Sequence, residues 1–309
     1  MNRCGASRKR HLLEASCTFG TQIQESGLPP LFRSFRGSFI NPNRFNPTDS
    51  IRQSDLESLL ADTFLQSVKH FAEIDSTNTR AIELLATGDG VATPCLVYAE
   101  NQSAGRGRGA NQWWSAKGSL TFSVVVDFQE IGLSSEQKPL LPLLTGMAIL
   151  RACRLTLPDG DLSLKWPNDV FLDGRKLAGI LIEVPSQSSD GAVVGVGLNV
   201  NNRFADAPQE LQSTGIAMAA HWAMEHPRIE ILRSFLQCFE KLAKSLSAGQ
   251  GFLDDWPKYC LLTGKEVTLQ AGATQVTGVC RGVDESGALL LQVGAEQQRF
   301  FGGVIQAWR

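Results

Sequence analysis

KWPNDVFLDGRKLAGILIE, from Lys165 to Glu183, packs a strand end, a proline-broken turn and a tight hairpin into one short stretch. Pro167 stops the strand that arrives at Lys165 and Trp166. Asp169 to Leu172 and Lys176 to Val184 then read as paired antiparallel strands, because Asp173-Gly174 tolerates the positive φ that a two-residue turn demands. Such a hairpin argues against the regular βαβ repeat of a doubly wound sheet.

Outward from this hairpin, strands and helices alternate irregularly. Val68 to Glu73, Pro94 to Ala99, Ser119 to Asp127 and Val193 to Val200 have strand patterns. Asp75, Ser76 and Thr77 offer N-cap oxygens ahead of Ala81, Leu84 and Leu85, which predicts a helix closing at Gly88-Asp89-Gly90. Further helices are expected from Ile51 to Phe64, Lys138 to Leu157, Arg228 to Ser247 and Phe252 to Cys260. The expected class is α+β, a mixed sheet with flanking helices. Beyond Thr263, four short strand candidates (Lys265 to Gln270, Gln275 to Val283, Ala288 to Val293 and Gln297 to Phe301) predict a small β-barrel. The expected division is therefore 1–50, 51–262 and 263–309.

The first segment differs from the rest. Seven arginines and lysines between Arg3 and Arg44 face only Glu14, Glu25 and Asp49, and no apolar period survives, so disorder is expected there. A floppy extension, a start assigned too far upstream and a transit segment all fit that composition. Across 309 residues the formal charge is only −2, which disfavours the broad basic face needed to coat nucleic acid. Seven cysteines, an odd number without a C-x-x-C pair, read as reduced thiols in a cytoplasmic protein. His221 and His226 lack companions at zinc-ligand spacing, and no apolar run is long enough to cross a membrane.

Chemistry concentrates in two places, the hairpin segment and AENQSAGRGRGANQWWS, from Ala99 to Ser115. In the latter, Gly105, Gly107 and Gly109 alternate with Arg106 and Arg108, so backbone can approach a ligand while two guanidiniums confront it. Two arginines in a glycine loop repel each other unless an anion relieves them. The pattern is neither a phosphate loop nor a dinucleotide fingerprint, since no helix follows. Trp113 and Trp114 read either as core anchors or as a platform for a flat ring. Lys165 reads equally as a surface lysine, whereas Lys176, beside Leu177-Ala178-Gly179, is expected to aim at the loop's space. Asn168 and Asp169 are turn formers or ligands of a divalent ion, and Asn199 a strand-end amide or a nucleotide contact.

Ser76-Thr77-Asn78, the loop Gln102 to Trp113, Lys165 to Asp169, Arg175 to Leu181 with Glu183, and Gly195 to Asn199 follow one another in an order that resembles biotin protein ligases. The resemblance covers about residues 68 to 309. It implies a class II synthetase-like catalytic domain and an SH3-like C-terminal barrel. It also implies an enzyme that joins biotin to ATP as biotinyl-5′-adenylate and then biotinylates one lysine of a biotin carboxyl carrier protein or domain. Carried over, it sets Ser76, Thr77, Asn78, Gln102, Arg106, Gly107, Arg108, Lys176 and Gly179 around biotin. Trp113, Asn168, Lys176, Asn199 and Arg309 fall to ATP, Asn168 and Asp169 to Mg2+, and Arg106, Arg108 and Lys176 to catalysis.

The chain departs from the family's Gly-Arg-Gly-Arg-Arg-Gly at Gly109-Ala110, a change that bears on retention of the adenylate. Residues 1 to 67 offer one short helix candidate, too little for the DNA-binding domain that some members carry, so no nucleic-acid partner is expected. Homodimerisation stays open. The alternatives are a lipoate-type acyl ligase, a non-enzymatic DNA-binding biotin sensor and an idle binding module.

Overall fold

The computed structural model describes residues 50–87, 91–185 and 191–309. The expected disorder of the first segment and the turn at Gly88-Asp89-Gly90 lie outside the described residues, apart from Ser50. The described residues all fall in one compact unit.

After a short helix α1 (Gln53–Glu57), the chain runs β1 (Ser67–Ile74), α2 (Thr77–Thr87), β2 (Cys95–Gln102), β3 (Leu120–Asp127) and α3 (Leu141–Thr156). It continues through β4 (Leu162–Lys165), β5 (Asp169–Leu172), β6 (Arg175–Glu183) and β7 (Gly191–Leu198). Two small helices, α4 (Gln209–Gln212) and α5 (Met218–Trp222), precede the long α6 (Arg228–Ser247) and the short α7 (Trp256–Tyr259). Strands β1 to β7 form one sheet in the order β1-β2-β3-β7-β6-β5-β4, parallel only between β1 and β2. The mixed sheet and its flanking helices are those expected of the sequence.

Alternation along these strands divides the sheet into two unlike faces. Leu120, Phe122, Val124 and Val126 of β3, with Val194, Val196 and Leu198 of β7 and Ala178 and Ile180 of β6, are buried on one face. Helices α3 and α6 join them in the main core, where α6 supplies Ile231, Leu232, Phe235, Phe239 and Leu242 at helical spacing. Phe235 meets Phe122 edge-on, with ring centroids 5.2 Å apart. Each such fully buried side chain contributes about 1.5–3 kcal/mol, so truncating Phe239 or Phe122 would cut deeply into the domain's net stability.

The opposite face is covered only at one end. There α2 packs Ala81 against Cys95, Val97, Val125 and Val193. At the other end the same face carries Ser123, Gly195, Gly197 and Gly179, residues too small to fill the space above them.

Strands β8 (Glu266–Ala271), β9 (Thr274–Val283), β10 (Leu289–Val293), β11 (Glu296–Phe300) and β12 (Val304–Trp308) form an antiparallel sheet in the order β11-β10-β9-β8-β12. It has five strands where four were expected, because the terminal segment from Val304 pairs back onto β8. The helix expected from Ile51 to Phe64 is instead α1 and a 3-10 turn at Ser58–Ala61, and that expected from Phe252 to Cys260 is a 3-10 turn and α7. Pro257 just inside α7 suits a helix start but not its interior. The small sheet is tied to the large one by Trp166 Nε1, which donates to Gly287 O at 3.1 Å, and by Leu261 N, which donates to Leu164 O at 2.8 Å.

Candidate functional site

Across the open end of the sheet, Ala99, Thr121, Gly197, Gly179, Asp169 and Lys165 stand in register on successive strands. The next row holds Val97, Ser123, Gly195 and Leu181. Both rows face away from the main core. Glycines in the middle strands leave the backbone bare, and a cleft of about 900 Å³, counting the solvent at its mouth, opens above them. The loop from Gly105 to Trp113 forms one wall, Asn78 and the start of α2 another, and Gly303 to Ile305 of the small sheet the third.

A β-bulge brings Lys176 to this face. Between Val170 and Phe171 the pairing of β5 with β6 slips, so that Val170 lies opposite Ala178 but Phe171 lies opposite Lys176. Leu177 is the extra residue, buried in the main core beside the equally buried Ala178. Without the slip, Lys176 would alternate to the core face; with it, Nζ reaches Asp169 Oδ1 at 2.7 Å and lies over Gly179. The turn residues Asp173 and Gly174 have φ of 50° and 72°, as the Asp-Gly hairpin expectation requires. From the other side, Lys176 N donates to Thr214 O at 2.8 Å, so the connection between α4 and α5 braces the bulge.

The loop folds into a small hairpin of its own: Gly107 N donates to Asn111 O at 2.8 Å and Trp113 N to Gly105 O at 2.9 Å. Gly105 is required there, since a Cβ would fall 2.5 Å from Trp113 O. The Trp113 indole lies flat across the bared β7, where a Cβ on Gly197 would sit 2.2 Å from Trp113 Cε2. Trp113 is therefore a lid on the glycine row as well as a wall of the cleft. Trp114 packs on Phe204 at 5.4 Å, outside the cleft lining.

The two guanidiniums diverge. Arg106 makes a bidentate pair with Glu183, at 2.6 Å to Oε1 and 3.1 Å to Oε2, so its charge is matched within the protein. Arg108 reaches across to the carbonyl of Gly303. Both arginines line the cleft, as expected of the loop, but Arg106 is paired with Glu183 while Arg108 is held by a neutral carbonyl.

Charge accumulates at the end of the cleft near β4 and β5. Arg108, Lys165 and Lys176 surround a single carboxylate, Asp169. Burial lowers the Lys165 pKa from its ordinary value, with Lys176 adding to the effect and Asp169 opposing it; burial lowers that of Arg108 as well, again against Asp169. Lys165 rests on Trp308, its Nζ 4.3 Å from the ring centroid. Three cations around one carboxylate leave this end of the cleft with an excess of positive charge.

The opposite end is neutral and nearly closed. Ser76, Thr77 and Asn78 are 2 to 4% exposed at the start of α2. Thr77 N donates to Gln102 Oε1 at 2.7 Å, and Ser123 Oγ lies 2.7 Å from Thr77 Oγ1 and 2.6 Å from Asn78 Oδ1.

Of the residues singled out from sequence, Ser76, Thr77, Asn78, Gln102, Arg106, Gly107, Arg108, Trp113, Asn168, Asp169, Lys176 and Gly179 line this one cleft. Asn199 and Arg309 do not. Asn199 is buried past the end of β7, where Oδ1 accepts from Asn202 Nδ2 at 3.0 Å, and Arg309 is exposed and paired with Glu266. Sequence reasoning passed over Ser123 and Gly303, and gave no role to Glu183, the Arg106 partner, although the resemblance ran through it. The signal for Ser123 and Gly195 was their place on the odd-numbered face of β3 and β7, opposite the apolar one.

Residues 71–201 match the family described as biotin/lipoate A/B protein ligase, and residues 262–308 match the biotin protein ligase C-terminal domain. A biotin–[acetyl-CoA-carboxylase] ligase of Paracoccus denitrificans is 30% identical over 249 residues, 75% of this chain and 99% of that protein. A bifunctional ligase/repressor of Bacillus spizizenii is 29% identical over 224 residues, covering 71% of this chain. The chain spans about two thirds of the length of that relative and its Bacillus subtilis counterpart. The biotin protein ligase from Aquifex aeolicus in complex with biotin and ATP superposes with a TM-score of 0.67 at 28% identity, over 79% of this chain and 99% of that one.

Proposed function

Because this chain belongs to the biotin/lipoate A/B protein ligase family, we propose that it activates biotin with ATP and passes the biotinyl group to a lysine of a biotin carboxyl carrier domain. The observation that carries this reading is the polarity of the cleft. Its neutral, buried end offers hydroxyl and amide groups, and its other end offers three cations. Biotin has the same division, a neutral ureido ring at one end and a carboxylate at the other.

Attack of that carboxylate on the α-phosphate brings anion to anion, so the rate depends on holding both near 3 Å in line and offsetting the developing charge. Lys176 is fixed by the bulge and Lys165 by Trp308, which makes both rigid donors. Arg108 is carried by the loop and bonded to Gly303 O across the cleft. No side-chain nucleophile is needed, because the substrate supplies one. The bond formed is between the biotin carboxylate and phosphorus, and pyrophosphate leaves. The carrier lysine's amine then attacks the acyl carbon, AMP departs, and the amine's proton goes to solvent or phosphate.

Asn168 and Asp169 suit Mg2+. Asn168 Nδ2 donates to Ile180 O at 2.8 Å, which leaves its Oδ1 for other use, and Asp169 Oδ1 is covered, with no hydrogen bond beyond the Lys176 ion pair. Two hard oxygens are what a magnesium ion held mainly by phosphates asks of a protein. When bound, it would offset phosphate charge.

The test is transfer of labelled biotin to a carrier domain of an acetyl-CoA carboxylase by purified protein with ATP and magnesium. ATP-dependent labelling, not competed by excess lipoate, is expected. Labelling abolished by equimolar lipoate would favour the lipoate reading, and retention of biotin without labelling an idle binding module.

A further inference from the structure

Two thiols that the chemistry of the cleft does not use meet where the two sheets join. Cys260 follows α7 and lies in a parallel bridge with Leu164, and its neighbour Leu261 N donates to Leu164 O at 2.8 Å. Cys280 stands in β9 and is fully buried, whereas Cys260 is partly exposed. The chain between them folds back onto β9: Gly264 N donates to Cys280 O at 2.8 Å, and Cys280 N donates to Lys265 O at 2.9 Å. That closure brings the two thiols into hydrogen-bond contact.

Their surroundings make the two sulfurs unlike. Besides Cys280, the Thr263 hydroxyl and the backbone N–H groups of Leu262 and Thr263 converge on Cys260 Sγ. Cys280 Sγ takes one backbone N–H, that of Gly282, at 3.4 Å. The Cys280 contact above all, helped by Thr263 and Leu262, holds the Cys260 thiol below its ordinary pKa against the opposing effect of burial; the same contact and burial push Cys280 up.

We propose that Cys260 and Cys280 are a redox modification site, at which a hydroperoxide oxidises Cys260 and Cys280 resolves the product as an intramolecular disulfide. The Cys260 thiolate attacks the O–O bond of hydrogen peroxide, becomes a sulfenic acid and releases hydroxide. Cys280 sulfur then displaces the sulfenic hydroxyl, which leaves with the Cys280 proton as water while the S–S bond forms. Each sulfur has given up one electron, and the peroxide has taken both. An accessible thiolate beside a resolving thiol is the arrangement that keeps such oxidation reversible. The bond ties the connection beside Leu164 to the middle strand of the small sheet. The proposal is independent of what the cleft binds.

The test treats the folded chain with hydrogen peroxide, with and without dimedone, blocks remaining thiols with N-ethylmaleimide and maps peptides by mass without reduction. Wild type should give a Cys260–Cys280 cross-link, two hydrogens lighter than the thiols and reversed by dithiothreitol. Cys280→Ser should lose the cross-link and carry dimedone on Cys260, and Cys260→Ser should show neither product. Iodoacetamide near pH 7 should alkylate Cys260 in the unoxidised wild type at least about tenfold faster than Cys153 or Cys238, which burial pushes up to about 12 and about 11. Cross-links elsewhere with Cys260 and Cys280 still reduced, or alkylation of Cys260 no faster than of Cys153, would overturn the proposal. So would dimedone capture at Cys260 as complete in wild type as in Cys280→Ser. The wild-type measurements decide the matter even if Cys280→Ser fails to fold.

Discussion

Replacing Gly197 by alanine tests how the loop is held over the sheet. The added Cβ would sit 2.2 Å from Trp113 Cε2 and 2.6 Å from Cδ2 and Cζ2. Carbon atoms in contact prefer roughly 3.5–4.0 Å, so the overlap is at least about 1.3 Å. Strand β7 lies between β3 and β6 and is hydrogen-bonded to both, so the indole and not the strand has to yield. Overpacking of this kind costs about 1–3 kcal/mol, and each kcal/mol lowers Tm by roughly 2–4 °C for a domain of this size. Because Trp113 N is bonded to Gly105 O, its displacement lifts the strand of loop that carries Arg106 and Arg108. Trypsin cuts after both, so Gly197→Ala should show a lower Tm together with faster nicking at those two bonds, while Gly197→Ala/Trp113→Ala should match Trp113→Ala alone. An unchanged Tm and an unchanged nicking rate would refute the reasoning.

Three other outcomes are expected. Lys176→Ala, which removes the cation aimed by the bulge, should abolish biotin-dependent pyrophosphate release, and undiminished turnover would contradict its role. Arg108→Ala should leave pyrophosphate release measurable but increase the adenylate recovered in the filtrate of rapid gel filtration, as the loop loses its hold on Gly303. His221 lies 2.7 Å from Asp173 at the hairpin turn, and this hydrogen bond raises its pKa against the opposing effect of burial. A raised folded-state pKa gives stability that is full below the unfolded value near 6.5 and is lost as pH climbs through the folded value. Denaturant midpoints of wild type relative to His221→Gln should therefore converge as the pH rises above about 6.5.

Much of the fold was legible because alternation and turn chemistry are local. Asp173-Gly174 announced the hairpin, and Leu120, Phe122, Val124 and Val126 announced a strand with one apolar face. The bulge was not legible, although adjacent Leu177 and Ala178 are its trace, because a slip of register belongs to two strands and cannot be seen in either. Strand β12 escaped for a related reason: Val304 to Trp308 gains its place only from β8, more than thirty residues earlier. The glycine-arginine loop declared its charge, but the destination of Arg106 depended on Glu183, 77 positions away. Arg309 shows the converse, a terminal cation next in sequence to Trp308 whose side chain goes to Glu266 instead of the cleft.

The account as a whole stands on the cationic end of the cleft meeting a carboxylate and a nucleotide together. Its most direct test is a single-turnover mixture of purified protein, labelled biotin and ATP without any carrier. Biotinyl-5′-adenylate and pyrophosphate should form in equal amounts and stay with the protein, and the label should move to a carrier domain added later without more ATP. Biotin bound but left unactivated, with no pyrophosphate released, would contradict it.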